Sequence, residues 1–304
     1  MSNYMEMFDT CVFAFDGKYN VMDEKDIGIT ADISSLLTPE RSVTIMQSLQ
    51  GCPYTGSSMD IDIRIDGERV RAREWKWLPN AILRRGGNTN FNVETVTAVV
   101  PKMRAAVQKI TITSIIDEDN KAPITVMYRG TARREEVWSF GIPGVERGNR
   151  DNFTATDRIL TCDRNGVAYH LTSSLDNMTQ FKRAYLWENE IVIPARGTVT
   201  LYFSVHLGDL EESRKEAEAS LDKYEEMLES SFEYLRGEVA RIDANLPHLT
   251  SDCAELDNLY YRSLVTYIMC RWENPDLCTI PYYSTGSVNG SCMCSYLWDY
   301  CGGL

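Results

Sequence analysis

Histidine is scarce in this chain: His170, His206 and His248 are the three present among 304 residues. None stands beside a cysteine or another histidine at a ligand or nucleophile–base spacing. A Ser-His-Asp or Cys-His mechanism therefore has no sequence support, and structural roles are expected for all three. Long apolar runs are also absent. No run of about 18 apolar residues occurs, so no membrane-spanning helix is expected. The N-terminal residues carry Asp9 and Asp16 where a secretory leader needs a basic and then an apolar region, which excludes an ordinary signal peptide. Positive charge is in deficit, with 31 basic against 44 acidic residues and a net charge of −13. That balance disfavours phosphate backbones and anionic membranes, so neither nucleic acid nor membrane is expected as a partner. Gly86-Gly87 and Gly302-Gly303 have neither Walker nor dinucleotide spacing, and no cofactor is expected. Nine cysteines without a secretion signal are expected to stay reduced, and an odd number cannot all pair within one chain. A cytoplasmic location follows as the expectation.

What is present is a strand pattern. A hydrophobic content of 43% is enough to build a sizeable core. Met59, Ile61, Ile63 and Ile65 alternate with Asp60, Asp62 and Arg64, the period of a half-buried strand. Asp66-Gly67 follows, a residue pair favoured in type I′ hairpin turns. Closing that turn sets Ile65 opposite Glu68, Ile63 opposite Val70 and Ile61 opposite Ala72. On the other face it sets Asp62 against Arg71 and Asp60 against Arg73. Further strands are expected over 92–100, 106–116, 123–132, 167–173, 184–193 and 198–207, punctuated by turn-forming residues such as Arg164-Asn165-Gly166. No helical pattern alternates with them. The pattern predicts a large antiparallel β-sandwich over residues 1–208.

The period then changes. Leu210, Ala217, Leu221, Tyr224, Leu228, Phe232, Leu235, Val239 and Ile242 recur at three-, four- and seven-residue spacings, one stripe of an amphipathic helix. This predicts one continuous linker helix within 209–246, of about 50 Å, with Asp209 as its cap and Glu212 completing a capping-box-like pair. Asn245-Leu246-Pro247 ends it. A second helix starts at Ser251 or Asp252 and runs to about Trp272, apolar around much of its girth; it opens a helical part over 247–304.

Several clusters invite a chemical reading. Cys270, Cys278, Cys292, Cys294 and Cys301 crowd the C-terminal stretch, but a single C-x-C is not the paired knuckle of structural zinc, and no metal site is expected. Asp60 and Asp62 fit a solvated, arginine-paired strand face better than an acid/base pair. Trp75 and Trp77 share a strand face and could stack on a sugar, although core or inter-domain packing explains them better. Tyr296, Trp298, Asp299 and Tyr300 differ from these because they follow a helix and a Gly/Ser-rich loop. Aromatic rings stack on the apolar faces of pyranoses, and a carboxylate beside them can accept two sugar hydroxyls. The same residues would also suit a helix start capped by Asp299.

The order of parts resembles the six-hairpin glycosidases: a β-sandwich, a long linker helix, a first barrel helix, a Gly-rich loop, then aromatic-x-Trp-Asp. The nearest likeness is to the clan of trehalase, processing α-glucosidase I and mannosylglycerate hydrolase. That clan's first barrel loop carries a Tyr-x-Trp-Asp-x-Tyr or Phe-Leu-Trp-Asp motif, standing here as Tyr296-Leu297-Trp298-Asp299-Tyr300. Cys301-Gly302-Gly303 replaces the aromatic residue common after it. The resemblance implies a multidomain β-then-α protein: an antiparallel β super-sandwich, a linker helix and the start of an (α/α)6 toroid. It implies that Tyr296, Trp298, Asp299 and Tyr300 bind a sugar substrate, that Asp299 is catalytic only in an alternative assignment, and that the general acid and base lie beyond residue 304. An inverting mechanism on an α-glucoside-like oligosaccharide or disaccharide would follow, with two carboxylates about 6.5–9.5 Å apart. The 304-residue chain alone is then expected to be inactive, as the N-terminal part of a longer enzyme.

Two other functions stay open on the sequence. An inverting glycoside phosphorylase shares this order of parts but has an Arg-Asp-Gln-type motif where Trp298-Asp299-Tyr300 stands. A non-enzymatic sandwich with a helical arm could form a homo-oligomer through Leu221, Leu228 and Leu235.

Overall fold

The computed structural model describes residues 54–65, 68–69, 72–78, 80–134, 152–176, 179–181 and 184–269, with short strand pieces at 33–34, 44–45, 49–51, 271–272 and 282–283. Two antiparallel sheets dominate. The first has the order β1 (Ile33–Ser34), β2 (Thr44–Ile45), β3 (Leu49–Gly51), β4 (Tyr54–Ile65), β10 (Asn120–Arg134), β15 (Ala184–Ile193) and β14 (Thr179–Phe181), with β5 (Glu68–Arg69) paired to β4. The second has the order β11 (Asn152–Ala155), β12 (Ile159–Arg164), β13 (Val167–Ser173), β16 (Thr198–Asp209), β9 (Ala105–Ser114), β8 (Phe91–Val99), β7 (Ala81–Gly87) and β6 (Ala72–Leu78). Strand β10 meets β12 and β13, and β16 meets β3 and β4, so the sheets lie face to face.

Alternation along the second sheet sorts its two faces. Leu201, Phe203, Val205 and Leu207 of β16 share a register face with Ile110 of β9 and with Tyr169 and Leu171 of β13, and all are buried. This is the sandwich core. The opposite face of the same strands carries Tyr202, Ser204, His206 and Gly208, with Thr172 and His170 beside them. Helices cover that face: α1 (Leu210–Ser220) packs on β12, β13 and β16, and α2 (Tyr224–Asn245) packs on β8, β9 and β16. A third helix, α3 (Ala254–Met269), follows. The β-domain leading into helices is the architecture expected from the sequence.

Four local expectations are corrected. Ile65 stands opposite Glu68, as expected, and Arg64 opposite Arg69, while Val70 and Arg71 lie outside the described residues. Ala72 then opens β6, which pairs with β7 in the other sheet, while β4 pairs with β10 and sets Asp60 opposite Arg129 and Asp62 opposite Met127. Arg64 and Ile65 pair with β5 on one edge and with Thr125 and Ile124 of β10 on the other, so the two pairings do not compete; the expected register fails at Ala72 because β6 joins β7 in the second sheet.

The linker helix is broken. Leu221 turns extended (ψ 131°) and Asp222 takes a left-handed conformation (φ +65°), separating α1 from α2. Aspartate is among the few side chains that tolerate that region. Arg158 holds it there through Nη2 to Oδ1 at 2.8 Å and Nη1 to Oδ2 at 3.1 Å. Asp209 stands at the N-cap of α1 with extended backbone but makes no side-chain cap bond. The Leu210 amide instead donates to the Gly166 carbonyl of the β12–β13 turn. Helix α3 stops at Met269, and Arg271–Trp272 pairs as a strand with Tyr282–Tyr283.

Candidate functional site

The sugar-binding candidates Tyr296, Trp298, Asp299 and Tyr300 lie outside the described residues, as do Cys270, Cys278, Cys292, Cys294, Cys301 and the Asp66-Gly67 turn. Trp75 and Trp77 stand in β6, at one end of the second sheet, at register opposite Arg84 and Ile82. Among the described residues no group of three or more His, Cys, Asp or Glu could hold a metal ion. Of the two described cysteines, Cys162 is buried and Cys253 is exposed. No described helix is long and apolar enough to cross a membrane.

What the structure builds in detail is the seat of the helices on the sheet, in two parts of different chemistry. Under α1 the contact is small and polar. The buried residues of α1 are Ser213, Ala217 and Ser220. A Cβ added at Gly208 would meet the Ser213 Cβ at 3.5 Å, ordinary contact, so helix and strand lie close here. His170 and His206 stand directly opposite each other on β13 and β16, both fully buried. Sequence spacing did not reveal this pair, because cross-strand neighbours are far apart along the chain.

The hydrogen bonds fix where the imidazole protons sit. Ser213 Oγ donates to the Asp209 carbonyl at 2.7 Å, so it accepts from His170 Nε2–H at 3.1 Å. His170 Nδ1 then accepts from the Thr161 hydroxyl at 2.8 Å. On the other strand, Ser204 Oγ lies 3.0 Å from His206 Nε2 and 2.6 Å from the Thr172 hydroxyl. His206 Nδ1 is buried without a partner. A bare lone pair costs less there than an orphaned N–H, which places the His206 proton on Nε2 as well. Burial pushes His170 down to about 4, against the opposing pull of the Leu210 backbone. Burial, then the proximity of His170, pushes His206 down to about 3. Both rings are neutral at neutral pH, as structural histidines expected from the sequence would be.

Under α2 the contact is apolar, with a polar fringe. Tyr224, Met227, Leu228, Leu235, Val239 and Ile242 are buried, and such side chains contribute about 1.5–3 kcal/mol each. Leu228 and Leu235 of the proposed oligomerisation stripe are thus spent on the chain's own sheet. Tyr224 stacks on Tyr202 with centroids 5.7 Å apart. Lys109 donates to Glu225 at 2.8 Å, and Tyr202 donates to the same carboxylate. The lysine bond and the tyrosine bond hold Glu225 below the usual carboxylate range. Glu225 remains 60% exposed, so this pair adds well under about 1 kcal/mol and the apolar burial decides the docking. Asn80, in the β6–β7 turn, donates to Ser231 of α2 at 2.9 Å, a buried tie that hydrophobic periodicity cannot show. Ser213, Ser220 and Ser231 are the interface residues the apolar stripe missed.

No family model and no curated protein matches the sequence. Solved structures do match. A bacterial glucoamylase in complex with acarbose is similar at TM-score 0.51 and 10% identity, over 83% of this chain and 42% of that one. A chain described as a kojibiose phosphorylase from the human microbiome covers 82% of this chain and 36% of its own length at 10% identity, with TM-score 0.38. A heparan sulfate lyase from Pedobacter heparinus covers 49% of this chain and 24% of its own at 12% identity, with TM-score 0.32. This chain spans less than half the length of each. At such identities the likeness concerns fold alone, and the TM-score of 0.51 carries it. Over 83% of its length the chain therefore shares the fold of that glucoamylase, an antiparallel β-domain leading into helices.

Proposed function

We propose that this chain forms the β-domain, linker and first helical part of an inverting glycoside hydrolase acting on an α-glucoside-like oligosaccharide or disaccharide. The observation that carries the reading is the fold shared with a glucoamylase over 83% of the chain. That glucoamylase was solved with acarbose, which makes an oligosaccharide the natural ligand class to test. Tyr296, Trp298 and Tyr300 would supply stacking rings and Asp299 a carboxylate for sugar hydroxyls. The division into 1–208, 209–246 and 247–304 belongs to the same reading. The general acid and base would be supplied by residues outside these 304, consistent with a chain spanning 42% of the glucoamylase.

Two assays test this. The 304-residue chain alone should release no sugar from maltose, trehalose or an aryl glucoside above background; turnover abolished by Asp299→Asn would show that the chemistry sits on the Trp298-Asp299 motif itself. The enzyme that carries the chain should cleave its glycoside in phosphate-free buffer and yield the free sugar. Strict dependence on inorganic phosphate, with a sugar phosphate as product, would replace the hydrolase by a phosphorylase.

A further inference from the structure

Helix α1 differs from every other described element packed on the sandwich in what holds it down. Its buried residues are two serines and an alanine, whereas α2 buries six large side chains. The face it covers is equally polar: Thr161, His170, Thr172, Ser204, His206 and Gly208. Small apolar area gives little hydrophobic stabilisation, so the seat of α1 depends on its hydrogen bonds and on close approach. Both ends of the helix are marked by departures from helical backbone, at Asp209 and at Leu221–Asp222. The segment is bounded as a unit of local opening.

We propose that α1 is a proton-gated latch: the neutral His170–His206 pair keeps it seated on β13 and β16, and acid releases it while the sandwich beneath stays folded. The argument is geometric first. His206 Nδ1 has no partner, so a proton arriving there would create a buried N–H, and a buried positive charge, with nothing to accept it. His170 stands at the same register on the next strand, and a charge on either ring would repel a charge on the other. Glu218 is the carboxylate that acts on His170, and its pull is smaller than the push of burial and is opposed by Arg214. From α1 the pair is faced by Arg214 and Glu218, which engage each other at 3.0 Å, and by the Ser213 hydroxyl. From β12 it is faced by the Thr161 hydroxyl, from β13 and β16 by those of Thr172 and Ser204, and from β9 by Ala105 at the register of His206.

The sign follows from linkage. At neutral pH both states hold neutral rings and acid linkage adds nothing. Below the ordinary histidine value of 6.5, the opened state takes up protons that the seated state refuses until about 4 for His170 and about 3 for His206. Opening of α1 therefore becomes more favourable as pH falls, by about 20-fold per histidine between about pH 7 and about pH 5.

Hydrogen exchange of the whole chain, corrected for the intrinsic pH dependence of exchange, reads this directly. The opening constant of α1 amides should rise at least about 20-fold from about pH 7 to about pH 5, while β9 and β16 amides hold constant. His170→Gln/His206→Gln should flatten the rise, and His248→Gln should leave it intact. An α1 response no larger than that of β9, or one that persists in the double variant, would overturn the latch. If the double variant does not fold, ring NMR of the native protein decides. Both imidazoles should stay neutral down to about pH 5. A ring that gains its proton near 6.5 in the seated state contradicts the proposal.

Discussion

Two glycines occupy opposite situations, and substitution by alanine separates them. Gly87 ends β7 at φ +153°, and a Cβ there would lie 2.3 Å from the Phe91 carbonyl oxygen. That oxygen also accepts from the Asn88 amide at 2.9 Å, so it cannot move without opening the β7–β8 turn. Gly87→Ala should cost about 2–3 kcal/mol, read by urea melts. Gly237 sits on the exposed side of α2 with nothing within 4 Å of an added Cβ. There alanine removes the helix penalty of glycine and should stabilise by about 0.5–1 kcal/mol. Equal effects at the two positions would mean that the β7–β8 turn or the helix is misdescribed. The histidines show why residue roles were only half legible. Their structural character followed from the lack of neighbouring ligands in sequence. Their pairing across β13 and β16 depends on a register that no local pattern encodes.

At the scale of elements, the break between α1 and α2 is the feature periodicity could not supply. Leu221, Tyr224 and Leu228 keep a helical spacing straight through it. The spacing survives because the break inserts only Leu221–Lys223, and both helices still face one sheet. What ends α1 is tertiary: Arg158, in the β11–β12 connection, grips Asp222 and also donates to the Ser173 carbonyl at 3.0 Å. Melting temperatures should therefore fall in the order wild type, Asp222→Asn, Asp222→Ala. Asparagine tolerates the left-handed backbone and keeps one bond to Arg158, and alanine does neither. Once Arg158→Ala has been made, the Asp222→Asn step should lose most of its effect. An Asp222→Ala protein as stable as wild type would show that the bend is set by helix packing alone. The Asp66-Gly67 hairpin teaches the same lesson in strands. The first register pair, Ile65 opposite Glu68, was readable, but the departure of Ala72 into the second sheet, where it pairs with Gly86, was not.

At the scale of the molecule, the change from period 2 to period 3.6 near residue 209 made the β-then-helix order legible, because both periods come from burial of one face. The strands at 167–173 and 184–193 were placed to the residue. The division of strands between two sheets was not legible, since alternation states which face is buried and not against what. The candidate sugar site was read from residue types and resemblance, and Tyr296, Trp298, Asp299 and Tyr300 are outside the described residues, so chemistry must test them. Charge-assisted hydrogen bonds from sugar hydroxyls to a carboxylate contribute about 1.5–3 kcal/mol each. If Asp299 grips the sugar and these bonds tighten as the ring distorts, its loss lowers kcat as well as raising KM. A general acid behaves differently, because a good leaving group needs no proton. The most direct test is kcat/KM of Asp299→Ala, in the enzyme that carries this chain, on the natural glycoside and on a dinitrophenyl glycoside. A loss of about 10-fold or more, equal on both substrates, is the result predicted for a sugar-binding carboxylate. Near-complete rescue on the dinitrophenyl glycoside would make Asp299 the acid, and an unchanged kcat/KM on both would remove the motif from the active site altogether.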